Sequence, residues 1–281
     1  MRFAHWLQAI DQRFYRWKSD HLMFGDFHRP LTRNRVNLYY WRPAIGDNVG
    51  DLVSLVVVRR LAQSLGLDYE QPTRQTRKLF AVGSILEQAV PGATVWGSGL
   101  RHAILSPHGI PLDVRAVRGP LTRDALLHAG HACPATYGDP AILLPRFYRP
   151  QPAKARPFLV VPHFMREKEL LAAHPASTVS TLTSDWAGFV DAIAAADLVI
   201  SGSLHGIILA EAYGVPAILL ASAMDRDRFK YDDYYAGTGR GSYDVAQTVE
   251  EALALGGQPL PAFDALQEGL LQSFPRDLWT S

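Results

Sequence analysis

From residue 36 onward the chain repeats one unit: a short run rich in β-branched and aromatic residues, a glycine-containing turn, then a stretch of helical periodicity. Strands written this way cannot close as two-residue hairpins. Each must return by a crossover, so neighbouring strands run parallel and both sheet faces are covered. The runs are VNLYYW (36–41), LFAVGS (79–84), TVWGSG (94–99) and DVRAVRG (113–119), then FLVVPHF (158–164), DLVIS (197–201) and PAILLA (216–221). Between the two groups RFYRPQPAKARP (146–157) is proline-rich and basic with no apolar period, and it reads as a linker. The expected fold class is α/β, with two Rossmann-like domains whose parallel sheets face a cleft. Residues 36–148 form the first domain and 157–260 the second. Residues 261–281, with the helical AFDALQEGLLQSF, are expected to cross back onto the first.

At 281 residues, 48% hydrophobic and 20% charged, the chain can bury a large core. Its 28 Lys and Arg balance 27 Asp and Glu, which argues against nucleic acid as the main partner. Residues 1–35 are locally basic, and Phe3, Leu7, Ile10, Phe14 and Trp17 recur at helical spacing. An amphipathic helix there either lies in a lipid headgroup layer or packs on its own domain or a second subunit. Cys133 is alone, which excludes an intrachain disulfide, and no apolar run has the length of a membrane span. A cytoplasmic location is expected, with peripheral association at the inner face of the membrane as an option.

Ligands of parallel sheets bind beyond the carboxyl ends of the strands, where helix N-termini present free amides. The polar or glycine-rich loops expected at that edge are GDNVGD (46–51), GSGLRH (97–102), RGP (118–120), GDP (138–140), PHF (162–164) and SGSLHG (201–206). His205 lies at the start of a helix there, either facing an anion or as a half-exposed residue of the first turn. Arg118 ends a strand two residues before a helix, so its guanidinium either grips a carboxylate or phosphate or pairs with a neighbouring acid. Asp47 and Asp51 flank Asn48 and Gly50, where an Asx turn is the competing reading. The charged, tyrosine-rich DRDRFKYDDYYAGTGRG (225–241) reads as a sugar-binding loop or as a solvated loop anchored by Phe229 and Tyr231. No metal motif is present, and no metal site is expected.

Taken in order, GDNVGD, VWGSGL, DVRAVRGPLTR, YGDPAILLP, VPHF, SLHGIILAEAYGVPAI, DRFKYDDYYAGTGR and FPRDLW resemble the polysaccharide pyruvyltransferase family over residues 37–279, most of all its xanthan-type ketal pyruvate transferase branch. The resemblance implies a GT-B-like fold and transfer of the enolpyruvyl unit of phosphoenolpyruvate to two hydroxyls of a sugar, with release of phosphate. It implies a lipid-linked oligosaccharide acceptor ending in mannose, a 4,6-ketal product and no cofactor beyond the donor substrate. It assigns His205 as the acid and Arg118 as the donor ligand; Gly202, Ser203, Leu204 and Lys230 are the further candidates expected around the donor. Asp47, Asp51 or Asp139 would be the base. Asn48, Gly97, Ser98, Gly99, Asp139, His163, Glu211, Arg228, Tyr234 and Arg240 would line the cleft or meet the acceptor. One position departs from the pattern: Ser203 stands where other branches carry a donor-binding arginine, leaving Lys230, Arg228, Arg240 or Arg101 to replace it. A GT-B glycosyltransferase using a nucleotide sugar, with Glu211 on the ribose, and a non-catalytic glycan-binding relative remain alternatives.

Overall fold

The alternation of apolar side chains in the strands decides the layering. In the strand Val199–Ser201 (β6), Val199 joins one core cluster and Ile200 another; in Ala217–Leu220 (β7), Ala217 and Leu219 face the first and Ile218 and Leu220 the second. Both faces are apolar because both are covered. A computed structural model describes residues 31–42, 46–102, 107–151, 155–221 and 227–280, so the amphipathic segment read over 1–35 falls almost wholly outside the described residues.

Two four-stranded parallel sheets result. One holds Val36–Tyr39 (β1), Arg77–Phe80 (β2), Ala93–Trp96 (β3) and Leu112–Ala116 (β4); the other holds Leu159–Val161 (β5), β6, β7 and Val245–Ala246 (β8). Each sheet runs in chain order rather than reversing around its first strand, so neither contains a topological switch point. The ligand edge lies between the sheets. β8 has no counterpart among the sequence-derived strands; two residues are too few to leave a periodic signal.

Between the sheets runs a shared helical layer. The helices Val49–Ser64 (α1) and Leu204–Ala212 (α5), with the 3-10 helix Pro140–Arg146, bury their side chains in one core cluster that takes in strands of both sheets. The sequence of α5 is apolar on nearly every side, which is the pattern of a fully buried helix, and its residues from Leu204 to Glu211 are all buried.

Further links join the halves. The helix Phe229–Gly237 (α6) crosses Pro120–His128 (α2), and Gly119 allows it, since a Cβ there would sit 1.9 Å from the Asp233 carbonyl oxygen. The helices Asp264–Gln272 (α8) and Asp277–Thr280 (α9) return to the first sheet. Trp96 Nε1 donates to the Leu270 carbonyl at 2.9 Å, and the Phe274 ring sits between Trp96 and Trp279. Among the described residues no helix is long and apolar enough to cross a membrane.

Candidate functional site

The loops at the carboxyl ends of β1, β2, β3, β5 and β6 converge on a cavity of about 310 Å³ between the sheets. From the first half Tyr39, Trp41, Asn48, Asp51, Ser84, Ile85, Glu87, Gln88 and Arg101 line it. From the second half come His163, Phe164, Thr181, Ser203, Leu204, His205 and Lys230.

Two helices begin at this cavity, and their first turns differ. Asn48 caps α1 by accepting from the amides of Gly50 (3.1 Å) and Asp51 (3.4 Å), while the Val49 amide donates to the Thr181 carbonyl at 2.9 Å across the halves. These donors are therefore occupied. Ser203 starts α5 without a capping side-chain bond, and its own amide donates to Ser201 Oγ at 3.0 Å. The amides of Leu204, His205 and Gly206 are left as the open positive end of that helix.

Asp51 lines the cavity, and burial pushes its carboxyl up to about 7, with Asp139 adding to the rise and Arg101 and Lys230 opposing it. It is thus half-protonated near neutral pH. Asp139 caps the 3-10 helix through the Ala141 amide (3.0 Å), and burial raises it to about 6. Its Oδ2 lies 3.8 Å from His205 Nε2, and neither atom has a hydrogen-bond partner. Burial first, then the charges of Arg118 and Lys230, push the His205 imidazole down to about 3. In this arrangement His205 is neutral. Gly50 packs against the ring, and a Cβ there would lie 2.3 Å from Nδ1.

Arg118 departs most from its expected place. Its side chain is wholly buried, with Nε on Asp233 at 3.0 Å, Nη1 on Ser84 Oγ and Nη2 on the Leu100 carbonyl at 2.7 Å. Asp233 also accepts from the amide (2.8 Å) and hydroxyl (2.7 Å) of Thr122. The guanidinium thus stands behind the cavity wall, touching it only through Ser84. Gly99 backs onto that guanidinium, Ser98 Oγ donates to the Gly83 carbonyl at 2.8 Å, and Gly97 abuts Pro140. These three shape the wall without lining it.

Asp47, the other candidate base, is held by Arg42 Nε at 2.9 Å and does not line the cavity. Glu211 sits two turns into α5, receiving Arg240 at 2.6 and 2.8 Å and the Tyr234 hydroxyl at 2.6 Å. That buried cluster removes Glu211, Arg240 and Tyr234 from the cleft. Arg228 is exposed at the start of α6. Tyr231, Tyr234 and Tyr235 are 0–1% exposed, so this part of the tyrosine-rich segment is core rather than a sugar-binding surface. Gly202 is buried beside the His163 amide. Of the four cations considered as replacements at Ser203, Arg101 and Lys230 reach the cavity.

Residues 111–223 match the polysaccharide pyruvyl transferase family. The chain is 31% identical over 211 residues to the succinoglycan biosynthesis protein ExoV of Rhizobium meliloti (strain 1021), covering 70% of this chain and 63% of that one. It is 29% identical over 174 residues to the uncharacterized protein L143 of Acanthamoeba polyphaga mimivirus, covering 56% and 59%. The matches thus span about three-fifths of the length of these relatives. Among solved structures, the glycosyltransferase SnogD from Streptomyces nogalater aligns over 83% of this chain and 75% of that one, with 15% identity and a TM-score of 0.29.

Proposed function

Since the chain belongs to the polysaccharide pyruvyl transferase family, we propose that it moves the enolpyruvyl unit of phosphoenolpyruvate onto two hydroxyls of a terminal sugar in an exopolysaccharide repeat, forming a cyclic pyruvate ketal and releasing phosphate. The observation that carries this reading is the cavity itself: an uncapped helix N-terminus, two cations and a carboxyl poised near neutrality meet between the sheets. The role of the relative in succinoglycan biosynthesis supports an exopolysaccharide acceptor. A mannose terminus, a 4,6-ketal and a lipid carrier are the finer parts of the same proposal.

The donor is a compact trianion. The open amides of α5, the Ser203 hydroxyl, Lys230 and Arg101 are the groups that hold it, a set of charge-assisted donors. Carbon 3 of the enol must gain a proton, carbon 2 must accept a sugar oxygen, and that hydroxyl must lose its proton. Asp51 is suited to take the hydroxyl proton, because a group with its midpoint near the working pH both accepts and returns one.

His205 is neutral until charge arrives. One negative charge at 4 Å, at an effective dielectric of 20, is worth about 4 kcal/mol, or about three pH units on the imidazole. Donor binding therefore brings His205 from about 3 into the range where it carries a proton, with Asp139 at 3.8 Å as its other counter-charge. Protonation of carbon 3 by His205 follows only when the donor is in place. The second hydroxyl then displaces phosphate at carbon 2, and its proton leaves with the phosphate.

No observation favours the nucleotide-sugar reading, since Glu211, its proposed ribose partner, is taken up by Arg240 and Tyr234. The test is incubation with phosphoenolpyruvate and a soluble oligosaccharide repeat, followed by mass spectrometry and phosphate assay. Wild type should add one pyruvate ketal per phosphate released, and His205→Gln should lose at least about 10²-fold in turnover. Transfer from a nucleotide sugar, or unchanged turnover in His205→Gln, would refute the proposal.

A further inference from the structure

The tyrosines of 225–241 do not offer their faces to a sugar, but other aromatic rings do. Trp41, which follows β1, and Phe164, which follows β5, come from opposite halves and meet with ring centroids 5.6 Å apart and planes inclined by 49°. His163 lies against Phe164 at 4.5 Å and 37°. All three are half-buried, and all three line the cavity. Large rings left partly open inside a cavity, beside a few hydrogen-bonding groups, are the usual construction of a small-molecule site.

The neighbouring groups indicate the chemical class. Glu87, Gln88 and Asn48 line the same cavity: the Asn48 oxygen caps α1 and Glu87 Oε1 accepts from the Arg101 amide, while Glu87 Oε2, the Asn48 N–H groups and the Gln88 amide are of the chemistry suited to hydroxyls. A pyranose has the matching duality, with a face of weakly positive C–H groups that suits the negative face of an aromatic ring and a rim of hydroxyls. The cations of the cavity, Arg101 and Lys230, are the wrong partners for a neutral sugar and the right ones for the donor. Cavity volume agrees: about 310 Å³ lies at the small end for ligand sites, enough for one sugar ring beside a three-carbon anion but not for a long glycan.

The geometry points to Trp41 and Phe164, joined across the halves, as the subsite that stacks the terminal pyranose of the acceptor, with Glu87 and Gln88 holding its hydroxyls. This inference rests on the pyruvyl transfer reading for the word acceptor, but the binding it describes does not require turnover. Because one ring comes from each half, the subsite exists only where the halves meet, and the sugar is presented to the donor held at α5.

The experiment follows the indole N–H resonance of Trp41 in the ¹⁵N-labelled full chain, assigned through Trp41→Phe, during titration with the methyl pyranosides of glucose, galactose and mannose at tens of millimolar. At least one hexoside should shift that resonance saturably. Phe164→Leu should weaken the hexoside about 3- to 10-fold while leaving phosphoenolpyruvate binding unchanged. Absence of a Trp41 shift with all three hexosides would overturn the subsite. So would a shift produced by uridine diphosphate and by none of the sugars. Were pyruvyl transfer to fail as the activity, hexosides would still move Trp41. Were the subsite to fail while transfer held, Trp41→Phe and Phe164→Leu would pyruvylate the acceptor with unchanged KM.

Discussion

Replacing Asp51 by Asn is expected to make the protein more stable and inactive. The carboxyl faces the cavity from the first turn of α1, is 8% exposed, and has its midpoint raised by burial from 3.8 to about 7. A rise of about three pH units means that ionised Asp51 costs the fold roughly 4 kcal/mol, at 1.36 kcal/mol per unit. The negative charge also gains up to about 1 kcal/mol from the N-terminus of α1, and water entering the cavity screens part of the rest, so about 2 kcal/mol is the gain expected for the variant. The sign follows from where the native state binds the extra proton. Between about pH 4 and 7 folded Asp51 keeps a proton that the unfolded chain has lost, so wild type loses stability as pH rises through that window. The Asp51→Asn variant, with an amide in place of the carboxyl, carries no such loss. Urea unfolding of both proteins should therefore show curves nearly equal at pH 4 and separated by about 2 kcal/mol at pH 8. A difference independent of pH, or a variant less stable than wild type at pH 8, would refute the assignment of a buried, proton-poised carboxyl.

Gly50→Ala should abolish the proposed pyruvyl transfer, because the new methyl meets the His205 ring at 2.3 Å; alanine otherwise favours a helix by about 1 kcal/mol, so a fall in the melting temperature would itself report the clash. Arg118→Lys should cost about 3–5 kcal/mol of stability in ligand-free protein, since Asp233 and the Leu100 carbonyl lose a fork that lysine cannot reproduce. A variant as stable as wild type but with a raised KM for phosphoenolpyruvate would return Arg118 to donor binding. Arg101→Ala and Lys230→Ala should each raise that KM about 10- to 100-fold and lessen its dependence on salt, as measured by steady-state phosphate release, with unchanged KM in both ruling these cations out as donor ligands.

The strands were legible because alternation, glycine turns and crossover lengths all describe one architecture, and every strand except the two-residue β8 overlaps an expected run. The position of the cleft was legible as well, since SGSLHG and GDNVGD are both strand-to-helix turns. What escaped was the direction in which long side chains point. Arg118 and Arg240 look alike in sequence to any cleft arginine, yet each is matched to a buried acid, Asp233 or Glu211, that lies 115 or 29 residues away. The tyrosines of 225–241 carried the same ambiguity, and α6 resolves it by turning Tyr231, Tyr234 and Tyr235 inward. Trp41 and Phe164 did leave a signal, because each is an aromatic residue at the very end of an apolar strand run. Trp41 packs partly on the core, and at that place the remainder of such a ring borders the ligand edge.

The helical layer shared by the two sheets bears on how such a protein is made and altered. A ribosome that has delivered only the first half has not yet supplied α5, so the sides of α1 and of the 3-10 helix that pack toward the second half stay uncovered until it emerges, and the two halves should melt as one unit. Chimaeras joining halves from different homologues should fail at the crossing of α2 and α6 unless Gly119 and its facing backbone are transplanted together. Changes of substrate are correspondingly easier at the rim loops, which can be exchanged without disturbing that seam.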